Sequence, residues 1–349
     1  MLAVASPRRA VAHSASGTGA WRKIWASIAA MGLSKGTLRL LLDEARREPF
    51  TGSVAVLGKQ DVWFTEDTLR SCAAVAGVRL RDGPLSLSPK PELAREGYLS
   101  DDSLLRALGF TSYSALDVSD YEAADILHNL NSPTIPPEIE GRFDVVVDGG
   151  TLEHVFHLPN ALSALGQMVR EEGRVIHASP SSNHVDHGFY MFSPTFFWDY
   201  YSANRFELPT VHVVRYPQRH WDRPWDVYAY TPGALDHVSF GGLDGGMFMV
   251  WCVARKTADS TTGVVPEQSS FLQMWQHAEV SAVDEPARRD EPRPRALARA
   301  ISHRVTSPRQ RAALGRASRL NRFAFLNGRV RLGLSLRRKD FGLRRIGRY

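Results

Sequence analysis

At 349 residues and 43% hydrophobic content, the chain is long enough to bury one sizeable core with appendages. Its two cysteines, Cys72 and Cys252, lack CxxC spacing, which argues against a disulfide framework or structural zinc site and favours a reducing compartment. The formal net charge of +6 is unevenly spread: Glu285–Tyr349 holds 19 Lys/Arg against four acidic residues, a net of +15, and the rest of the chain is net −9.

No apolar run reaches the roughly 18–20 residues of a membrane span. Residues 1–33 read as an N-terminal arm with helical periodicity over Trp21–Met31. Arg8, Arg9, Arg22 and Lys23 are separated by Ser, Thr and Gly rather than an apolar core, so no secretory signal is read. Ser34–Glu48 predicts a helix, with Leu38, Leu40, Leu41, Leu42 and Ala45 on its apolar side and Pro49 as a stop. Ser53–Leu57 predicts a strand buried on both faces, ending at Gly58-Lys59-Gln60-Asp61. Thr65-Glu66-Asp67 supplies a capping hydroxyl and acids to the next helix. Only one glycine stands in that first loop, so it carries no GxGxxG fingerprint.

Residues 77–100 read as irregular and Asp101–Leu108 as a short helix. Tyr113–Val118 predicts a second strand ending at Asp117, and Ala124–His128 a third, followed by Asn129-Leu130-Asn131. The stretch Gly141–Val155 is the most informative. Phe143–Val147 is a valine-rich strand that stops at Asp148-Gly149-Gly150, with Glu153, His154 and His157 beyond. Pro159–Arg170 predicts a helix ended by Gly173, and Arg174–Ala178 a fifth strand with the polar loop Ser179–Asn183 at its carboxyl end. Ser193-Pro194 opens a helix to about Ala203, rich in aromatics that read mainly as core, some of them free to stack on a sugar ring. Val211–Val214 and Met247–Ala254 predict a final antiparallel pair. Between them Trp221, Trp225 and Tyr228, interleaved with Arg219, Asp222 and Arg223, read as a loop lid. The composition then shifts to a linker with a short helix at Ser269–Ala278.

These elements predict an α/β chain: a Rossmann-like, doubly wound, mostly parallel sheet with antiparallel C-terminal edge strands. The expected domains are an arm at 1–33, the α/β body at 34–256, a linker at 257–294, and a basic, partly disordered tail at 295–349.

FDVVVDGGTLEHV resembles the fourth-strand motif of the class I S-adenosylmethionine-dependent methyltransferases, and VREEGRVIHASP resembles their LKPGGRLI element, with Glu171-Glu172 in place of Pro-Gly. SSNHVDHGFYMFSP is similar to a divergent subgroup of bacterial methyltransferase-like proteins. The resemblance covers about Gly52 to Arg255. It departs at VLGKQDVWF, where the family has a GxGxG turn, and in the short link between Asp117 and the third strand. It implies S-adenosyl-L-methionine as cofactor, with Gly58 at its amino-acid end and Asp117 on the ribose hydroxyls, Asp120 competing for that role. Asn129 and Leu130 would meet the adenine edge and face, and Asp148 and Gly149 would line the centre of the cleft. Asp148 could alternatively be a loop-fixing carboxylate. Methyl transfer to oxygen or nitrogen calls for a base, and of the histidines near the strand ends (His154, His157, His177, His184, His187) the candidates are His154 and His187. A metal set from His184, Asp186 and His187 has no recognised ligand spacing, so no metal is expected.

The implied acceptor is a small molecule or glycan. The basic tail suits an anionic membrane surface or a partner protein better than nucleic acid, since it lacks regular aromatic platforms. The expected location is cytoplasmic, at most peripheral to a membrane. The competing reading is a catalytically inactive binding module of the same fold acting near membranes or glycan-assembly enzymes. An NAD-dependent enzyme would share the sheet but lacks the glycine fingerprint.

Overall fold

The computed structural model describes residues 32–207, 209–217, 223–239, 241–272, 275 and 344–349. The helical periodicity at Trp21–Met31, most of the basic tail, and Arg219, Trp221 and Asp222 of the expected lid lie outside the described residues. One compact unit comprises Met1–Ser269 with Gly342–Tyr349, and a second comprises Ser270–Phe341. In the second unit, Ser270–Leu272 and Trp275 are helical, in keeping with the short helix expected there.

The first unit is built in the order α1 (Lys35–Arg47), β1 (Ser53–Leu57), α2 (Glu66–Ala76), α3 (Pro91–Arg95), α4 (Asp101–Leu108), β2 (Ser112–Asp117), β3 (Ile126–Leu127), β4 (Phe143–Asp148), α5 (Leu158–Met168), β5 (Val169–Pro180), α6 (Pro194–Ala203), β6 (Thr210–Tyr216), β7 (Asp226–Ala229), β8 (Met247–Arg255) and β9 (Arg345–Arg348). The sheet order is β3-β2-β1-β4-β5-β8-β6-β7-β9. The strands from β3 to β5 are parallel, whereas β8 runs antiparallel to both β5 and β6. The mostly parallel sheet with antiparallel strands on its C-terminal side is therefore as expected.

Alternation along the strands divides the core between two faces. On one, Val54, Val56, Val145, Val147, Ile176 and Trp251 pack with Leu38, Leu41 and Leu42 of α1 and with Leu69, Leu104 and Leu105. The opposite face is covered by α5 on β4 and β5 and by α6 on β6 and β8. Helix starts follow local chemistry: the hydroxyls of Ser34, Thr65 and Ser100 accept from the backbone N–H three residues on, capping α1, α2 and α4. A buried ion pair, Arg174 to Glu44 at 2.7 Å, pins α1 to β5.

Three expectations need correction. The helix before β5 stops at Met168, and the strand begins at once at Val169, so Gly173 lies inside it. The β4–β5 register shifts between Phe143 and Val145, and a Cβ at Gly173 would stand 2.8 Å from the Asp144 carbonyl oxygen; glycine admits that close approach. The third strand is only Ile126–Leu127. Of the expected lid's described residues, Trp225 is 1% exposed and stacks on Tyr216 at 4.8 Å, and Tyr228 lies in the strand β7. Finally, the chain's last residues add β9 to the sheet edge, paired antiparallel with β7.

Candidate active site

The parallel strands β2, β1, β4 and β5 present neighbouring carboxyl ends, where open α/β sheets bind their ligands. At the end of β1, Gly58 has φ +66°, a conformation that favours glycine. Its N–H donates to the Leu116 carbonyl at 2.7 Å, tying the loop to β2. A Cβ at this position would stand 3.7 Å from both Asp117 Oδ2 and Thr151 Oγ1. Gly58 and Asp117 are thus brought together. Asp117 is half-buried, and its Oδ1 accepts from the Ser119 N–H at 3.0 Å. Around it Val118, Tyr121 and Leu127 are exposed apolar side chains.

Asn129 is exposed, and its Oδ1 accepts from both the N–H and Nδ2 of Asn131 at 3.0 Å, so it shapes a turn. Leu130 is 6% exposed and belongs to the core. The apolar surface offered beside the third strand comes from Leu127 instead, at 56% exposure. The expectation that Leu130 covers a ring face is therefore corrected by its direction.

Asp148 takes the loop-fixing alternative, and Gly149 does not line a cleft. Asp148 is fully buried. Its Oδ1 accepts from the N–H groups of Thr151 and Leu152 at 2.9 and 3.2 Å; its Oδ2 meets His177 Nδ1 at 2.9 Å and accepts from Ser179 Oγ at 3.1 Å. The other nitrogen of His177 lies 2.6 Å from the Tyr201 hydroxyl on α6. This carboxylate fixes the loop and the β4–β5–α6 junction, and none of its acceptor sites faces a cleft. Gly149 is buried beneath Gln60, whose Oε1 would lie 2.4 Å from a Cβ there.

Gln60 was not legible as a site residue. Its Nε2 donates to the Leu57 carbonyl at 3.0 Å, and its backbone N–H donates to Asp101 Oδ2 at 2.8 Å. Asp101, buried at the first turn of α4, also accepts from the Tyr113 hydroxyl at 2.6 Å. Burial pushes its carboxyl pKa up, against the opposing pull of these hydrogen bonds. The single-glycine loop is thus held by side chains where a glycine-rich turn would rely on close backbone approach.

His154 and His187 converge, with ring centroids 5.1 Å apart, both facing Glu153 Oε1. Burial, followed by the neighbouring His187, lowers the pKa of His154 and keeps it neutral near pH 7. His184 turns inward, its Nε2 3.0 Å from the Tyr216 hydroxyl, and burial lowers its pKa to about 4. It does not join Asp186 and His187 in a ligand set. Beside the histidine pair, Phe156 and Phe189 are exposed and meet edge to face at 5.6 Å. A cavity of about 530 Å³ lies past the end of β5, lined by Ser181, Ser182, Asn183, Phe192, Tyr230 and Asp244 among others.

The residues present fit an adenosyl cofactor at one end of this region: an open carboxylate oxygen at Asp117, a side-chain-free approach over Gly58, and apolar surface at Leu127. The β4 end offers no such contact, because Asp148 is spent internally and Gly149 is covered. Among the described residues, no helix is long and apolar enough to cross a membrane.

No family model matches the sequence, and no curated protein matches it. Solved structures similar to the chain include a Burkholderia thailandensis 1,6-didemethyltoxoflavin-N1-methyltransferase with bound S-adenosylhomocysteine (16% identity, 68% of this chain and 82% of that one, TM-score 0.33). A Thermotoga maritima methyltransferase, a possible histamine N-methyltransferase, is similar at 14% identity over 68% of this chain and 94% of that one, TM-score 0.31. A geranyl diphosphate methyltransferase is similar at 14% identity over 64% and 85%, TM-score 0.32. The sheet itself is a Rossmann-like, mostly parallel α/β sheet with β8 inserted antiparallel between β5 and β6.

Proposed function

We propose that the protein transfers a methyl group from S-adenosyl-L-methionine to a small-molecule or glycan-like acceptor. The observation that carries this reading is the meeting of Gly58 and Asp117 at adjacent parallel strand ends, with Asp117 Oδ2 directed at the space above the glycine. A carboxylate so placed can accept from both hydroxyls of a ribose. The cofactor would supply an electrophilic methyl on a sulfonium. The chain's own contribution would be positioning and water exclusion, with His154 or His187 taking the acceptor's proton. The cavity past β5 and the exposed Phe156–Phe189 pair give an acceptor apolar and hydroxyl-bearing surface.

A second reading draws on Gln60. Its side chain fills the space over Gly149, which suits a binding module of the same fold with no turnover. Calorimetric titration with S-adenosylhomocysteine separates the two. Micromolar binding, weakened on the order of tenfold or more in Asp117→Ala, supports the enzyme, since a hydrogen bond to a charged group contributes about 1.5–3 kcal/mol. Absence of binding to the folded protein supports the module.

A further inference from the structure

Glu153 is fully buried, and neither of its carboxylate oxygens has a hydrogen-bond partner. His187 Nε2 lies 3.6 Å and His154 Nε2 3.9 Å from the same oxygen, Oε1. These separations are too long for hydrogen bonds. His187 Nε2 is itself buried and unpartnered. A carboxylate and an imidazole nitrogen facing each other across such a gap, with no donor or acceptor between them, are costly unless something occupies the gap.

One candidate ligand atom from each of Glu153, His154 and His187 lies within 4.8 Å of the others. A tetrahedral divalent ion with bonds of about 2.0–2.1 Å sets its ligand atoms roughly 3.3 Å apart. The two glutamate–imidazole separations exceed that spacing by about 0.3 and 0.6 Å. The backbone is already fixed for it. Phe189 and Tyr190 donate their N–H groups to the Glu153 carbonyl at 2.7 and 3.3 Å, seating the loop that carries His187 directly on the turn that carries Glu153 and His154. Gly188 permits that approach, since a Cβ there would stand 2.7 Å from the same carbonyl oxygen.

We infer that Glu153, His154 and His187 form a binding site for one divalent first-row transition ion, with at least one coordination position open on the half-exposed His154 side. Two imidazoles and one carboxylate suit zinc, iron(II), cobalt(II) or manganese(II) better than calcium or magnesium, which prefer all-oxygen shells. An imidazole that ligates the ion cannot also serve as the base of the methyl-transfer reading, and ion uptake measured with no cofactor present tests the site separately from that reading.

The test uses the full-length, tag-free protein, stripped by dialysis against a chelator and titrated with zinc by calorimetry and with cobalt(II) by visible absorption. The expected result is one ion per chain, with affinity reduced on the order of 100-fold or more in Glu153→Gln and in His154→Ala, and unchanged in His237→Ala. His154→Ala alters a half-exposed side chain, so its readout stands even where Glu153→Gln perturbs folding. Folded wild-type protein that takes up no stoichiometric ion, or uptake equal in all variants, would overturn the inference.

Discussion

Asp148 and His177 are register partners on the parallel strands β4 and β5, and their fully buried side chains meet at 2.9 Å. Tyr201 of α6 closes the chain on the far side of the imidazole. Each member satisfies the next, which is the condition under which buried polar groups are tolerated. Removing one should therefore cost more than a surface contact. Asp148→Ala leaves His177, Ser179 and two backbone N–H groups without their acceptor, and should destabilise by about 3–5 kcal/mol. Tyr201→Phe strands only the imidazole nitrogen, at about 1–3 kcal/mol. Urea unfolding measures both, and a wild-type midpoint in either variant would contradict the assignment of Asp148 to structure.

Two glycines should respond differently to alanine. At Gly36 on α1, a Cβ would stand 2.2 Å from the buried Trp225 ring. Neither the helix nor the ring can move aside, so Gly36→Ala should cost about 1–3 kcal/mol or more through overpacking. At Gly58 the nearest atoms to a Cβ are 3.7 Å away, and only the left-handed backbone is strained. Gly58→Ala should therefore cost only about 1–2 kcal/mol in thermal unfolding, while its effect on S-adenosylhomocysteine affinity should exceed that of an equally mild variant elsewhere. A Gly36→Ala loss well below about 1 kcal/mol would show that the Trp225 contact is not as described.

Stability should fall on acidification. His212 in β6 has a buried, unpartnered Nδ1, and burial, reinforced by Arg47, lowers its pKa from 6.5 to about 4. Between those values the unfolded chain binds a proton that the folded chain refuses. The contribution is fully present above 6.5 and is lost as pH drops towards 4. Buried His184, whose pKa is also lowered to about 4, acts in the same direction. Melting temperature should thus decline across this window, and less steeply in His212→Leu. An identical pH profile in that variant would contradict the role of His212.

Much of the fold was legible because it rests on short-range pattern. The run Ser53–Leu57 and the helix Asp101–Leu108 fall where periodicity and capping residues put them, and the valine-rich Phe143–Val147 continues only one residue further, to Asp148. Tertiary override explains the misses. Trp225 and Tyr228 look like a lid because tryptophan, arginine and aspartate share the segment, but β6 on one side and β9 on the other draw those residues into the sheet. Gly173 looks like a helix stop, whereas it is needed for the close approach of β5 to Asp144. At the site, strand ends were predictable and side-chain directions were not. Asp117 faces outward and Asp148 inward, although both close a strand with the same residue type. Glu153 carried one visible signal, its place beside His154 just past a strand end, but its burial and lack of partners depend on a loop some 35 residues further on.

The most direct test of the account is a crystal structure of the protein soaked with S-adenosylhomocysteine. The account predicts ligand density with its ribose on Asp117, its backbone-proximal end above Gly58, and its ring against Leu127, with Gln60 displaced from Gly149 or bridging to the ligand. Strong density at another surface, or a site in which Gln60 stays in place and Asp117 touches solvent alone at saturating ligand, would contradict it.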